Sequence, residues 1–312
     1  MNISIFDAEK VITQHIADAD FCSYFVGFDI NDQHIREYRW KPFINLLINI
    51  IPEFAFGPYE KLPENAIPIK LAEAAKSIYK IDAFNKVNSI CIDGKNIDDD
   101  HLCKKYLSIG EFGELILHLL LRDFHKTIPL LSKIYFKDSY GVTVHGFDAV
   151  HIMPDTKTLW LGESKLYNEG KNGVKALIED IKDHIKNDYL REEFAIISKK
   201  IKPYKNIPEK NDWINLMHNN TKLETILNSI TIPLLCTYTS DNFTKYDDDK
   251  LPDFIREYEK EVRELEEYFK DSNDHPLKTK LNIILLLFPV KSKDELIKKM
   301  HKKLSILQSI DE

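Results

Sequence analysis

The stretch 145–165, HGFDAVHIMPDTKTLWLGESK, constrains this chain more than any other. Two apolar-rich runs, 142–153 and 158–166, flank the turn-like segment Pro154-Asp155-Thr156-Lys157, which is the pattern of a β-hairpin. Side chains alternate along a strand, so Glu163 and Lys165 share one face and Ser164 takes the other. Leu159 and Leu161 have the same parity as Glu163 and Lys165, so the charges end an apolar face. Pairing of the two runs brings Asp148 of the first alongside Glu163 and Lys165 of the second. Two carboxylates and an ammonium on one sheet surface suit the holding of a divalent cation and a nucleophilic water.

The flanking sequence gives the hairpin a context. Residues 102–125 read as a helix, with Phe112, Leu115, Ile116, Leu119 and Leu120 recurring at i, i+3 and i, i+4 spacing. Gly110 and Gly113 lie within it and accompany two acids, Glu111 and Glu114. A glycine costs about 1 kcal/mol against alanine inside a helix, so such a pair marks close packing against a sheet or a ligand. A strand is predicted over 133–137, and an amphipathic helix over 172–190. The local order is helix, three strands, helix. Before it, 21–30 reads as a strand, 40–51 as a helix ended by Pro52, and 65–79 as a helix. After it, 194–198 is a β-branched run ambiguous between strand and helix, and 212–229 is a helix. Residues 232–239 and 281–288 read as interior strands, 253–270 as a highly charged helix, and 292–307 as a helix capped by Ser292 and Glu295.

Bulk properties narrow the class. A chain of 312 residues exceeds one minimal domain, and a soft boundary near residue 100 separates a region 1–100 from 101–312. The net charge of −7 excludes a generally basic nucleic-acid binder, so any such site must be a local basic patch. None of the four cysteines forms a CxxC pair, which fits free thiols in a reducing cytosol. The N-terminus lacks a signal-peptide pattern, and the most apolar run, 281–290, is shorter than the ~20 residues a membrane span needs. A soluble, cytoplasmic protein is expected, with no membrane partner.

Gly146-x-Asp148 followed by Glu163-x-Lys165, with a Glu-bearing helix before and a helix after, resembles the PD-(D/E)xK nucleases over about 102–190. Here Gly-Phe-Asp stands where that superfamily commonly has Pro-Asp. The runs GEFGELILHLLL, HGFDAVHI and LWLGESKLY are similar, more narrowly, to HamA, the DUF1837 nuclease family of the Hachiman anti-phage system. The resemblance implies a restriction-endonuclease-like α/β fold. This fold has an αβββαβ core, a mixed central sheet, and α/β extensions at both ends. It implies a Mg²⁺- (or Mn²⁺-) dependent DNA nuclease acting as an effector with a superfamily 2 helicase, HamB. Carried over to this chain, Asp148 and Glu163 bind metal, Lys165 is catalytic, and Glu114 is the helix acid, with Glu111 the alternative. A non-catalytic nucleic-acid-binding or scaffold subunit of the same fold, or an RNase, is the rival reading.

Plainer readings stand beside these. An isolated E-x-K is ordinarily an ion pair on an exposed strand. His145, His151, His118 and His125 read as packing or surface residues rather than zinc ligands. Two lysine groups suit phosphate contacts or solvated faces equally: 199, 200, 202 and 205 with Tyr204, and 298, 299, 302 and 303. The charged helix 253–270 is either a solvated face or a surface for helicase docking.

Overall fold

A computed structural model describes residues 5–58, 67–78, 110–131 and 146–311. Its centre is a seven-stranded mixed sheet. In chain order the strands are β1 (Ile12–Ala17), β2 (Phe21–Val26), β5 (Ile128–Pro129), β6 (Ala149–Met153), β7 (Thr158–Tyr167), β8 (Ile230–Thr239) and β9 (Asn282–Val290). β3 (Phe28–Ile30) and β4 (Arg36–Tyr38) form a separate pair. Across the sheet the order is β1-β2-β9-β8-β7-β6-β5. β2, β9, β8 and β7 run parallel to one another, and the edges are antiparallel. Buried on both faces, the central strands read as continuous apolar runs such as IPLLCTYT and NIILLLFPV.

Strand parity sorts the covering helices. Cys236 of β8 pairs in register with Lys165 of β7 and Leu287 of β9, so these three share a face. Helix α4 (Gly170–His184) packs there, since a Cβ at Gly173 would lie 2.5 Å from the Cys236 sulfur. The neighbouring row, Leu166, Thr237 and Phe288, faces the other way. Helix α3 (Glu111–Asp123) covers that face with Gly113 against Ser164 and Leu166, and α1 (Trp40–Phe56) does so with Phe43 5.5 Å from Phe288. Helices α2 (Ile67–Ile78) and α10 (Lys293–Gln308) pack with α1. A buried ion pair ties α1 to α3: Arg122 donates to Glu53 at 2.5 Å, and His118 lies 3.2 Å from the same carboxylate.

The chain runs α3, β5, β6, β7, α4 and then, after three further helices, β8, within a mixed α/β fold. The strand predicted at 133–137 lies outside the described residues, and β5 is the first strand after α3. The boundary set near residue 100 also falls outside them, and β1 and β2 from before it share one sheet with β6–β9. None of the described helices is long and apolar enough to cross a membrane.

Several elements depart from the expected bounds. Helix α1 does not stop at Pro52 but continues to Phe56. Proline removes one backbone donor, yet buried Ile50, Ile51, Phe54 and Ala55 hold the chain helical on either side. The helix expected over 172–190 is two helices, α4 and α5 (Asn187–Ile201), because Lys186 adopts an extended conformation between them. The ambiguous run 194–198 is helical, within α5, and gives Phe194 and Ile197 to its buried stripe. Likewise 212–229 breaks into α6 (Lys210–Leu216) and α7 (Leu223–Leu227). After the short α8 (Asn242–Lys245), the charged helix α9 (Pro252–Ser272) packs on β2 and β1 through Phe254 and Tyr258. Ser292 caps α10 by accepting from the Glu295 N–H at 3.2 Å.

Candidate active site

The hairpin β6–β7 is closed by a 3₁₀ turn (Pro154–Thr156), with Lys157 in the left-handed region at φ 53°. Its register is Met153↔Thr158 through Ala149↔Gly162. Asp148 is therefore not a strand residue, as expected from the run 142–153, but sits one position before β6. Its Oδ2 accepts from the Ser164 N–H and the Ser164 hydroxyl, both at 2.8 Å. A side-chain carboxylate thus takes the donor that a backbone carbonyl would take if the ladder continued. The ladder ends there, and Asp148 is fixed beside the far half of β7.

Glu163 and Lys165 point to the α4 face, and α4 meets both. His184 Nδ1 lies 2.6 Å from Glu163 Oε1, and Lys165 Nζ is 2.6 Å from Asp180 Oδ2. His184 in turn stacks on Tyr189 of α5, with ring centroids 4.6 Å apart and planes 9° from parallel. On the opposite face Gly113 leaves room for Ser164, since a Cβ there would lie 3.3 Å from its hydroxyl oxygen. This seats the first turn of α3, and Glu114 with it, at the same strand segment. Gly146 approaches α5 closely: a Cβ would lie 2.7 Å from Glu193 Oε2.

The electrostatics follow from crowding. Glu163 is only 4% exposed. Burial pushes its carboxyl well above the ordinary range, and the charges of Asp148, Asp180 and Glu114 push it further, against the pull of Lys165. Burial alone would lower Lys165, but its hydrogen bond to Asp180 and the surrounding carboxylates raise it, so it stays an ammonium. Burial depresses His184, an effect that Asp180 partly offsets. Glu193 is raised to about 7 by burial, with His184 pulling the other way. Shifted groups gathered around one strand segment make it a candidate functional site.

The structure brings Asp148, Glu163 and Lys165 together, and Glu114 is the helix acid whose charge reaches Glu163. Glu111 lies in the same first turn of α3, three residues earlier. Two participants are missing from the sequence reading: Asp180 and His184. Their i, i+4 spacing places them on one face of α4, but nothing in that spacing alone distinguishes them from an ordinary surface pair. His151 is a core histidine, with Nδ1 2.8 Å from the Thr127 hydroxyl. His145 lies outside the described residues.

The donors suit a hard divalent cation, because Asp148 and Glu163 offer carboxylate oxygens and their mutual crowding would be relieved by positive charge. Among the described residues, no three His, Cys, Asp or Glu side chains are gathered as a ready metal cage. Instead, the acids are held by in-chain partners: Asp148 by Ser164 and Glu163 by His184. Ion binding would exchange those bonds.

A mixed sheet flanked by helices, with an acid–lysine cluster on a central strand, makes this a mixed α/β protein, consistent with a nuclease-like fold. The chain belongs to the HamA family, whose sequence model matches residues 3–304. Membership makes it a component of Hachiman anti-phage defence. No curated protein matches it in sequence.

Proposed function

We propose that this chain is a metal-dependent nuclease of the PD-(D/E)xK type that hydrolyses DNA phosphodiesters. In this reading it is the effector of a Hachiman complex whose companion is a helicase. The observation that carries the reading is the arrangement at β7. Glu163 and a protonated Lys165 stand side by side, with Asp148 pinned across from them by Ser164.

Each residue has a task in that chemistry. Asp148 and Glu163, with Glu114 behind them, are the oxygen donors that would hold Mg²⁺ or Mn²⁺. Such an ion neutralises phosphate charge and lowers the pKa of an attached water. Lys165 is kept cationic by Asp180 and is placed to meet the charge that develops on the phosphate as its ester bond breaks. Ser164 fixes the Asp148 carboxylate, and His184 fixes that of Glu163.

A non-catalytic member of the fold is the second reading, and the absence of a ready three-ligand cage among the described residues favours it. One assay separates them. The wild type and a Glu163→Gln/Lys165→Ala variant are compared on plasmid DNA and on RNA, with Mg²⁺ and with EDTA, alone and with the companion helicase. The nuclease reading expects Mg²⁺-dependent cutting of DNA by the wild type alone. Equal cutting by both proteins would reject the site, and no cutting under any condition would reject the activity.

A further inference from the structure

On the sheet face away from Glu163 and Lys165, a groove of about 460 Å³ opens between the start of α1 and the outer face of α10. Lys41, Lys299, Lys302 and Lys303 line it over Trp40, with Ile306 at one end. Four cations surround this groove on a chain whose net charge is −7. Lys299 is engaged, 3.1 Å from Glu295 and 5.7 Å from the Trp40 ring centroid. Lys41, Lys302 and Lys303 make no ion pair among the described residues.

The same helix face then turns apolar. Residues 299, 302, 303 and 306 follow one another at helical spacing, and Ile310 comes one turn later. Ile306 is 55% exposed and Ile310 48%, a large aliphatic surface. Cations grade into aliphatic side chains along one stripe.

We propose that this groove docks an acidic segment of the companion protein, one carrying a large apolar residue beside its carboxylates. The inference rests on the reading that the chain works with a helicase companion. Two observations favour a protein segment over nucleic acid. A phosphate backbone has no use for the exposed isoleucines. The groove lies across the sheet from Glu163 and Lys165, so a strand lying in it is not the strand presented to them. A mixed electrostatic and apolar stripe fits a partner chain that lays carboxylates over the lysines and an aliphatic or aromatic side chain on Ile306.

The test measures affinity between the full chain and the purified companion helicase by titration calorimetry. Lys302→Glu/Lys303→Glu, Ile306→Asp and the distant control Lys175→Glu are compared with wild type. Lys302→Ala/Lys303→Ala serves as a second, milder lysine variant. All four substitute exposed positions, and matched melting curves select the variants that are read. The expected result is binding about ten-fold weaker or worse for the reversal and for Ile306→Asp, and a smaller loss for the alanine pair. The control is expected to bind like wild type. Unchanged helicase affinity in the groove variants overturns the groove while leaving the companionship intact. Failure of the wild type to bind the helicase overturns both. Loss of duplex DNA affinity in the lysine variants, with helicase binding unchanged, overturns the proposal in favour of nucleic acid.

Discussion

Asp180 offers the sharpest test of how the candidate site is built. It touches Lys165 at 2.6 Å, and the two side chains are 21% and 26% exposed. Asp180→Asn keeps the volume and removes the charge. Breaking a fully buried pair costs about 3–5 kcal/mol, while an exposed pair contributes about 0–1 kcal/mol. At this intermediate burial the expected loss is about 1–2 kcal/mol, read from urea unfolding at neutral pH. The functional loss should be larger. With its partner gone, the Lys165 ammonium is free to swing toward Glu163, and misplacing a catalytic group by about 1 Å costs on the order of 10²-fold in rate. Single-turnover cleavage of a labelled DNA should therefore slow about 10²-fold, with the apparent KM little changed. In a Lys165→Ala background the same substitution should add almost nothing, because the pair acts as a unit. A wild-type rate for Asp180→Asn would refute the positioning role, as would a full and additive loss in the Lys165→Ala background.

Three other outcomes are expected. Glu114→Gln should impair DNA cleavage at saturating Mg²⁺ at least ten-fold more than Glu111→Gln, since Glu114 is the acid whose charge reaches Glu163, and parallel kinetics of the two variants check this. Glu53 is affected first by burial, which would raise it, but hydrogen bonds from His118 and Arg122 outweigh burial and hold it at about 2 against an ordinary 4.5. A depressed carboxyl stabilises the fold above pH 4.5 and loses that contribution as pH falls toward about 2. The contribution is roughly 3 kcal/mol, so acid unfolding of Glu53→Gln should lack that part of the wild-type pH dependence. Gly173→Ala would place a methyl 2.5 Å from the buried Cys236 sulfur and should cost about 1–3 kcal/mol in thermal or urea unfolding, with Cys236→Ala in the same chain recovering much of it.

Much of this was legible in the sequence because the relevant signals are periodic. The hairpin, the apolar stripes of α3 and α4 and the interior strands β8 and β9 declare themselves through spacing, and so does the pairing of Glu163 with Lys165 on one face. The sequence failed where tertiary contact overrides a local rule. Pro52 should end a helix, yet packing on both sides carries α1 through it. Asp148 reads as part of a strand, yet β6 begins only at Ala149 and the Asp148 carboxylate takes the Ser164 donor. Asp180 and His184 were hidden for a different reason. On a surface helix an acid and a histidine four residues apart carry no distinctive pattern, and only the crossing of α4 over β7 gives them partners.

That crossing has a simple metric basis. Two residues along a strand span about 6.8 Å, and four along a helix span about 6 Å. A helix running back antiparallel over the strand it follows can therefore match two strand side chains of one parity with two helix side chains one turn apart, in reversed order. The observed pairs, Glu163 with His184 and Lys165 with Asp180, have that reversed order. Sliding α4 by a single residue would rotate its face by about 100° and lose both pairs together. Glu-x-Lys on β7 and Asp-x-x-x-His on α4 thus form one unit, and α4 holds the resting site. Under the proposed chemistry a phosphate must draw Lys165 from Asp180 while a cation draws Glu163 from His184. The two exchanges are linked through one helix, so substrate and metal should each promote the binding of the other.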